Sequence, residues 1–126
     1  MASVTNITTI VNETEFHLTI KNGETQESVI IKKEERKPLD KSFPVPWIGN
    51  QNEGWKAIDI KDNATSNVLA YLFQDYWHPA HKDAVKYCTA VFSYEQAHEV
   101  DGNNQGGGGK VLYIKKHDSG IKFFME

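Results

Sequence analysis

Apolar and polar residues alternate along this chain with a period of two, in short bursts separated by turn-forming residues. Phe16, Leu18 and Ile20 fall on one face and His17, Thr19 and Lys21 on the other, the pattern of a half-buried strand. Val4 to Val11 is dense in β-branched residues, which favour extended backbone over helix. Asn22-Gly23 predicts a type I′ turn, with a hairpin returning through Ser28-Val29-Ile30-Ile31-Lys32. Trp55 to Lys61 predicts a strand with Ile58 and Ile60 on one face, and Asp62 to Asn67 is turn chemistry. Val68 to Phe73 is apolar on both faces, as a central strand covered from both sides requires. Asp83 to Phe92 reads either as a capped helix or as a strand, and its Val, Tyr, Thr and Phe favour the strand. Ser93 to Gly109 carries no pattern. Val111 to Ile114 and Ile121 to Met125 are two more strands, turned by Asp118-Ser119-Gly120, with Ile121, Phe123 and Met125 sharing a face.

Seven or eight short strands joined by turns, with no helix longer than two turns, predict an all-β antiparallel β-sandwich, a single domain over residues 1–126. The aromatic positions recur at no fixed period, which argues against a trefoil or propeller. One stretch interrupts the alternation. In Phe43-Pro44-Val45-Pro46-Trp47-Ile48-Gly49-Asn50, prolines at every second position fix φ and remove two backbone donors. An interior strand and a helix are both excluded there. The segment predicts a stiff, extended crossover that delivers aromatic side chains to a chosen place. Lys33-Glu34-Glu35-Arg36-Lys37, a run of both charges, predicts a solvated loop or a protected strand edge.

Composition narrows the functional classes. The 126 residues carry a formal charge of -3, with 39% hydrophobic and 25% charged residues, within the range of ordinary globular proteins. Only fourteen Lys and Arg are present, too few for the basic face that duplex nucleic acid requires. The single cysteine, Cys88, has no partner for an internal disulfide and sits in an apolar run, as a buried small hydrophobe does. Met1-Ala2-Ser3-Val4 lacks the charged and apolar regions of a signal peptide, so a cytoplasmic location is expected, secretion without a visible signal being the alternative. Asn6, Asn12 and Asn63 each open an N-glycosylation sequon, read here as a by-product of an Asn- and Thr-rich β sequence.

Motifs for catalysis are weak. Gly106 to Gly109 followed by Lys110 departs from a phosphate loop, because Asn104 and Val111 stand where Gly and Ser or Thr belong. Asp101 to Gly106 spaces its oxygen ligands like a calcium loop, but Leu112 replaces the closing carboxylate. His78 and His81, with Asp75 and Asp83 nearby, supply the ligand types of a zinc site in a small metal-assisted enzyme, without a recognised spacing. No cofactor is implied.

The aromatic loops carry more. Trp47, Trp55, Tyr76 and Trp77 all fall beside Asn50-Gln51-Asn52-Glu53 or Gln74-Asp75. An aromatic face stacks on the apolar side of a pyranose ring while amides and carboxylates pair its hydroxyls. The expected function is therefore a non-catalytic, lectin-like protein that binds a glycan or glycoconjugate through the Trp47–Trp55 and Tyr76–His78 loops. Trp47 and Trp77 would stack, and Asn50, Asn52, Glu53 and Asp75 would pair hydroxyls, with Trp55, Tyr76 and His78 completing the site. A homodimer is expected, since multivalency offsets weak single sites. Clustered Tyr and Trp also suit the headgroup level of a membrane. In size, aromatic content and the form Ile10-Val11-Asn12 … Leu18-Thr19-Ile20 the chain resembles the aegerolysins, small acidic β-sandwiches that bind membrane lipid. Small fungal and bacterial lectins are similar at the same level. The aegerolysin resemblance implies a lipid-binding or pore-forming sandwich and brings no functional residue with it.

Overall fold

The alternating segments pair into two sheets packed face to face, seen in a computed structural model that describes residues 4–75, 84–118 and 120–126. In chain order the strands are β1 (Thr5–Glu13), β2 (Leu18–Asn22), β3 (Ser28–Ile31), β4 (Arg36–Pro38) and β5 (Trp47–Ile48). A 3₁₀ helix (Gln51–Lys56) follows, then β6 (Ile58–Asp62), β7 (Val68–Asp75), β8 (Val85–Thr89), β9 (His98–Glu99), β10 (Asp101–Gly102), β11 (Gly108–His117) and β12 (Gly120–Met125). One sheet runs β10-β12-β11-β1-β4; the other runs β3-β2-β6-β7-β8-β9, with β5 added against β7. The all-β sandwich expected from the alternation is the observed architecture. The ambiguous run after Asp83 is strand β8, and β7 is central between β6 and β8 as its two apolar faces require.

The pairing is mixed rather than antiparallel throughout. β1 runs parallel to β11 over most of its length, β10 parallel to β12, and β5 parallel to β7. Parallel neighbours need a long crossover, and between β1 and β11 that crossover is almost the whole chain. A bulge in β1 between Ile7 and Thr9 turns both Ile7 and Ile10 into the core, which strict alternation would forbid. The core joins both sheets: Ile7, Ile10, Leu112, Ile114, Phe123 and Met125 meet Leu18, Ile20, Ile58, Ile60, Ala70 and Leu72. Burying each larger side chain is worth about 1.5–3 kcal/mol, so a one-residue slip in any inner strand costs several such terms.

Three buried amides stitch the sheets and loops together. Asn12 Nδ2 donates to the carbonyls of Phe16 (2.8 Å) and Lys32 (3.0 Å), and its Oδ1 accepts from the Thr14 N–H and hydroxyl. Asn22 Nδ2 donates to the Pro44 carbonyl at 2.7 Å. The Thr5 N–H donates to Gln74 Oε1 at 2.9 Å, tying the first strand to the other sheet. Asn12, read as a sequon, is completely buried with its amide committed.

The hairpin at Asn22 forms, but not with a type I′ turn. The Gln26 N–H donates to the Asn22 carbonyl, the Asn22 N–H to the Glu27 carbonyl, and the positive φ (68°) belongs to Gln26. Asn22 Oδ1 accepts from the Glu24 N–H, an Asx turn that sets the loop. Asp62 to Asn67 builds the same loop: Ser66 N–H to Asp62 carbonyl, Asp62 N–H to Asn67 carbonyl, Ala64 N–H to Asp62 Oδ1, and φ 64° at Ser66. Thr25 and Thr65 occupy equivalent places and accept from the N–H two residues on. Gly23 serves close approach instead: a Cβ there would lie 2.1 Å from the Trp55 carbonyl oxygen.

The charged run ends in the edge strand β4, whose Arg36 and Lys37 blunt further pairing. The glycine run has a conformational reason, since Gly106, Gly107 and Gly108 all take positive φ. The carbonyls of Asn103 and Gln105 in that loop both accept from the buried Lys110 ammonium. Among the described residues no helix is long and apolar enough to cross a membrane.

Candidate functional site

The proline crossover carries the chain from one sheet to the other. The Val45 N–H donates to the Thr5 carbonyl on β1, and one residue later the Pro46 carbonyl accepts from the Gln74 N–H on β7. With both prolines outside any ladder position that must donate, the segment is extended as expected. β5 then takes the place beside β7 that β6 leaves beyond Leu72, pairing Trp47 with Gln74 and Ile48 with Asp75. The stretch that follows Ile48 and the last described residue before the second aromatic loop, Asp75, therefore lie side by side at one end of the sheet.

There the chain forms a 3₁₀ helix over Gln51–Lys56, where a strand from Trp55 was expected. Side-chain capping overrides the strand propensity of that stretch. Asn50 Oδ1 accepts from the Asn52 N–H at 2.9 Å, the N-cap bond. Glu53 Oε1 accepts from the Gly49 N–H at 2.8 Å and Oε2 from the Lys56 ammonium at 3.0 Å. The Gly49 N–H first, and Lys56 second, hold the Glu53 carboxyl below its usual range. Gly54 lies flat on the Phe92 ring, where a Cβ would come within 2.6 Å.

The facing loop, residues 90–97, is clamped to this helix by one amide. Gln51 Nε2 donates to the Phe92 carbonyl at 3.0 Å while its Oε1 accepts from the Tyr94 N–H at 2.8 Å. Beneath the loop, Phe92 packs against Tyr71 and Phe73, with ring centroids 6.0 and 5.5 Å away, and Tyr94 packs against Phe73 at 5.8 Å. The Tyr94 hydroxyl donates to Asp75 Oδ1 at 2.7 Å, and Lys86 Nζ lies 2.8 Å from Asp75 Oδ2. Burial, and then the Asp75 hydrogen bond, push the Tyr94 hydroxyl well above its ordinary range, so it stays a donor. Between helix and loop opens a depression of about 400 Å³ lined by Gly49, Asn50, Gln51, Ser93, Tyr94 and Glu95.

The expected site residues divide accordingly. Trp55 is 66% exposed, with the Lys56 ammonium 5.7 Å from its ring centroid. Asn50 and Asn52 are exposed at the start of the helix, and Asn50 lines the depression. Trp47 is half-buried in β5, so the exposed indole of this loop is Trp55, not Trp47. Glu53 is spent on its own loop. Asp75 is fully buried and holds Tyr94 and Lys86 rather than standing open to pair a hydroxyl. Tyr76, Trp77, His78 and His81 lie outside the described residues. Among the described residues no group of three His, Cys, Asp or Glu is placed to hold a metal. Gln51, Ser93, Tyr94 and Glu95 were missed. Ser93-Tyr94-Glu95-Gln96 mixes an aromatic with carboxylate and amide as the other loops do, and the same criterion would have found it.

The outer face of this sheet carries one strained charge. Lys21, Asp59, Tyr71 and Cys88 form a row across β2, β6, β7 and β8. Asp59 Oδ1 is shielded from solvent with no hydrogen-bond partner among the described residues. Burial raises its carboxyl above the ordinary value of 3.8, and Lys61 and Lys21 pull it only partly back. A group whose folded value is raised contributes stability that is complete below the unfolded value and is lost as pH rises through the folded one. Unfolding experiments across pH 3 to 7 are expected to show Asp59→Asn gaining most over wild type at neutral pH, with the difference vanishing in acid. An equal gain at every pH would refute the titration. Burial also raises the Cys88 thiol, against a weaker opposing pull from the Ser93 N–H, keeping it protonated.

Compared with protein-family models, curated proteins and solved structures, the chain matches none.

Proposed function

We propose that this chain is a non-catalytic carbohydrate-binding protein whose site is the cleft between the 3₁₀ helix and the 90–97 loop, with Trp55 as the stacking surface. The observation that carries the reading is an indole 66% exposed on a helix with no buried residue of its own. That helix is nonetheless pinned by the Asn50 cap, the Glu53 bonds to Gly49 and Lys56, and the Gln51 clamp. An aromatic face held rigid in water has already met the ordering cost that binding would otherwise impose. Gln51 lines the depression little more than one turn before Trp55 on the same helix, and in this reading the ligand extends from the indole toward the Asn50 amide and the Ser93 hydroxyl.

A glycan array with wild type and Trp55→Ala tests the proposal. Stacking on one aromatic is worth about 0.5–1.5 kcal/mol beyond area burial, so the variant is expected to lose about tenfold or more in affinity while its melting temperature barely moves. Ligand binding should also shift tryptophan emission in the wild type alone. Flotation with liposomes separates a lipid surface from a glycan: lipid binding without array binding would replace this reading with the membrane one.

A further inference from the structure

Resting on that reading, we infer that the ligand is an oligosaccharide of at least two rings that bears amines rather than acid groups, with the Glu95 carboxylate as its charge-selecting contact. The cleft does not end at the 90–97 loop. A second depression of about 440 Å³, lined by Cys88, Thr89, Gln96 and His98 among others, adjoins the first, and Ser93 and Glu95 line both. Each is near the small end of the range for an enclosed small-molecule site; placed end to end they suit a chain of rings better than a single one.

The polar groups facing this trough are selective once those already engaged are set aside. Both ends of the Gln51 amide hold the facing loop, the Tyr94 hydroxyl is given to Asp75, and Asn50 Oδ1 caps the helix. Asn50 Nδ2, the Ser93 hydroxyl as a donor (its oxygen accepts from the Gln96 N–H at 3.3 Å) and the Glu95 carboxylate remain for a ligand. Glu95 is exposed and has no ion pair or hydrogen bond among the described residues. Among the described residues no lysine or arginine lines either depression, and the one imidazole, His98, lines only the second. The nearby ammonium groups are committed, Lys56 to Glu53 at 3.0 Å and Lys86 to Asp75 at 2.8 Å. At the junction of the two depressions, which Glu95 lines and His98 does not, a uronate or sulfate would meet the carboxylate with no lysine or arginine of the described residues beside it, whereas a protonated amino sugar would gain a charge-assisted bond.

Titration calorimetry at low salt and mildly acidic pH, with glucosamine monomer, glucosamine tetramer, its N-acetylated tetramer and a galacturonate tetramer, tests this. The glucosamine tetramer is expected to bind at least about tenfold more tightly than the galacturonate tetramer and than the monomer, and added salt should narrow the first gap. In Glu95→Gln the amine-bearing and acetylated tetramers should converge to within about threefold, with an unchanged melting temperature confirming the fold. Galacturonate binding as tightly as glucosamine, or a preference that survives Glu95→Gln, would overturn the charge assignment. Monomer and tetramer of equal affinity would overturn the two-part trough. Failure of every sugar to bind the wild type would instead bring down the carbohydrate reading beneath both.

Discussion

Asp75→Ala is expected to lower the free energy of unfolding by about 3–5 kcal/mol, measured by urea denaturation at neutral pH. The side chain of Asp75 has no exposure and that of Lys86 only 15%, with 2.8 Å between them. Removing the carboxylate leaves the ammonium partly buried without its counter-charge and the Tyr94 hydroxyl without its acceptor. The first loss falls on β8 and the second on the 90–97 loop that forms one wall of the cleft, so under the carbohydrate-binding proposal glycan affinity should fall with stability. An Asp75→Ala/Lys86→Met double variant, which trades the ion pair for apolar volume, is expected to recover most of the stability, because a buried pair is often no better than its hydrophobic replacement. A single variant costing under about 1 kcal/mol would mean that the pair is solvated and the cleft wall held by other contacts.

Gly23→Ala is the second large effect, expected at about 3 kcal/mol or more. A methyl at this position would sit 2.1 Å from the Trp55 carbonyl oxygen and 2.9 Å from that of Ala57. Neither is a side chain that can swing away, so the hairpin loop or the 3₁₀ helix must move, and forced overpacking typically costs 1–3 kcal/mol even against softer neighbours. Because the displaced backbone carries Trp55, the carbohydrate-binding proposal requires affinity for the sugar to drop beyond what loss of folded protein explains. Gly109→Ala is the control: its Cβ would meet only the Thr8 methyl at 3.0 Å, on a strand far along the chain from the helix. Equal loss of binding in both variants would detach the effect from the Trp55 helix.

The sandwich was legible because its signals are local. Alternation in 16–21 and 121–125, the doubly apolar β7 and the proline-locked crossover each report burial or backbone geometry within a few residues, and each appears in the structure, the first as a strand that begins only at Leu18. Two turn and helix assignments failed for an equally local reason. Asn22 and Asn50 are short polar side chains that reach their own following N–H groups, and those bonds chose a five-residue hairpin loop over a type I′ turn and a 3₁₀ helix over a strand. The site was legible only in outline. Asn50 and Trp55 are exposed, but Glu53 and Asp75 have the same chemistry as a surface acceptor and are consumed by Gly49, Lys56, Tyr94 and Lys86.

Residue pattern alone determined that this chain makes short strands, most with one apolar face, that its fourteen Lys and Arg are outnumbered by seventeen Asp and Glu, and that Trp47, Trp55, Tyr76 and Trp77 stand beside polar residues in sequence. Tertiary structure decided which strands neighbour one another, that the first strand lies parallel to the eleventh, and that the 90–97 loop closes over the 3₁₀ helix to make a cleft. The physical reason is range. Dihedral preference and burial period act between adjacent residues and are written in their order, whereas the partner of a carboxylate or an amide is whichever group the whole chain brings within 3 Å of it.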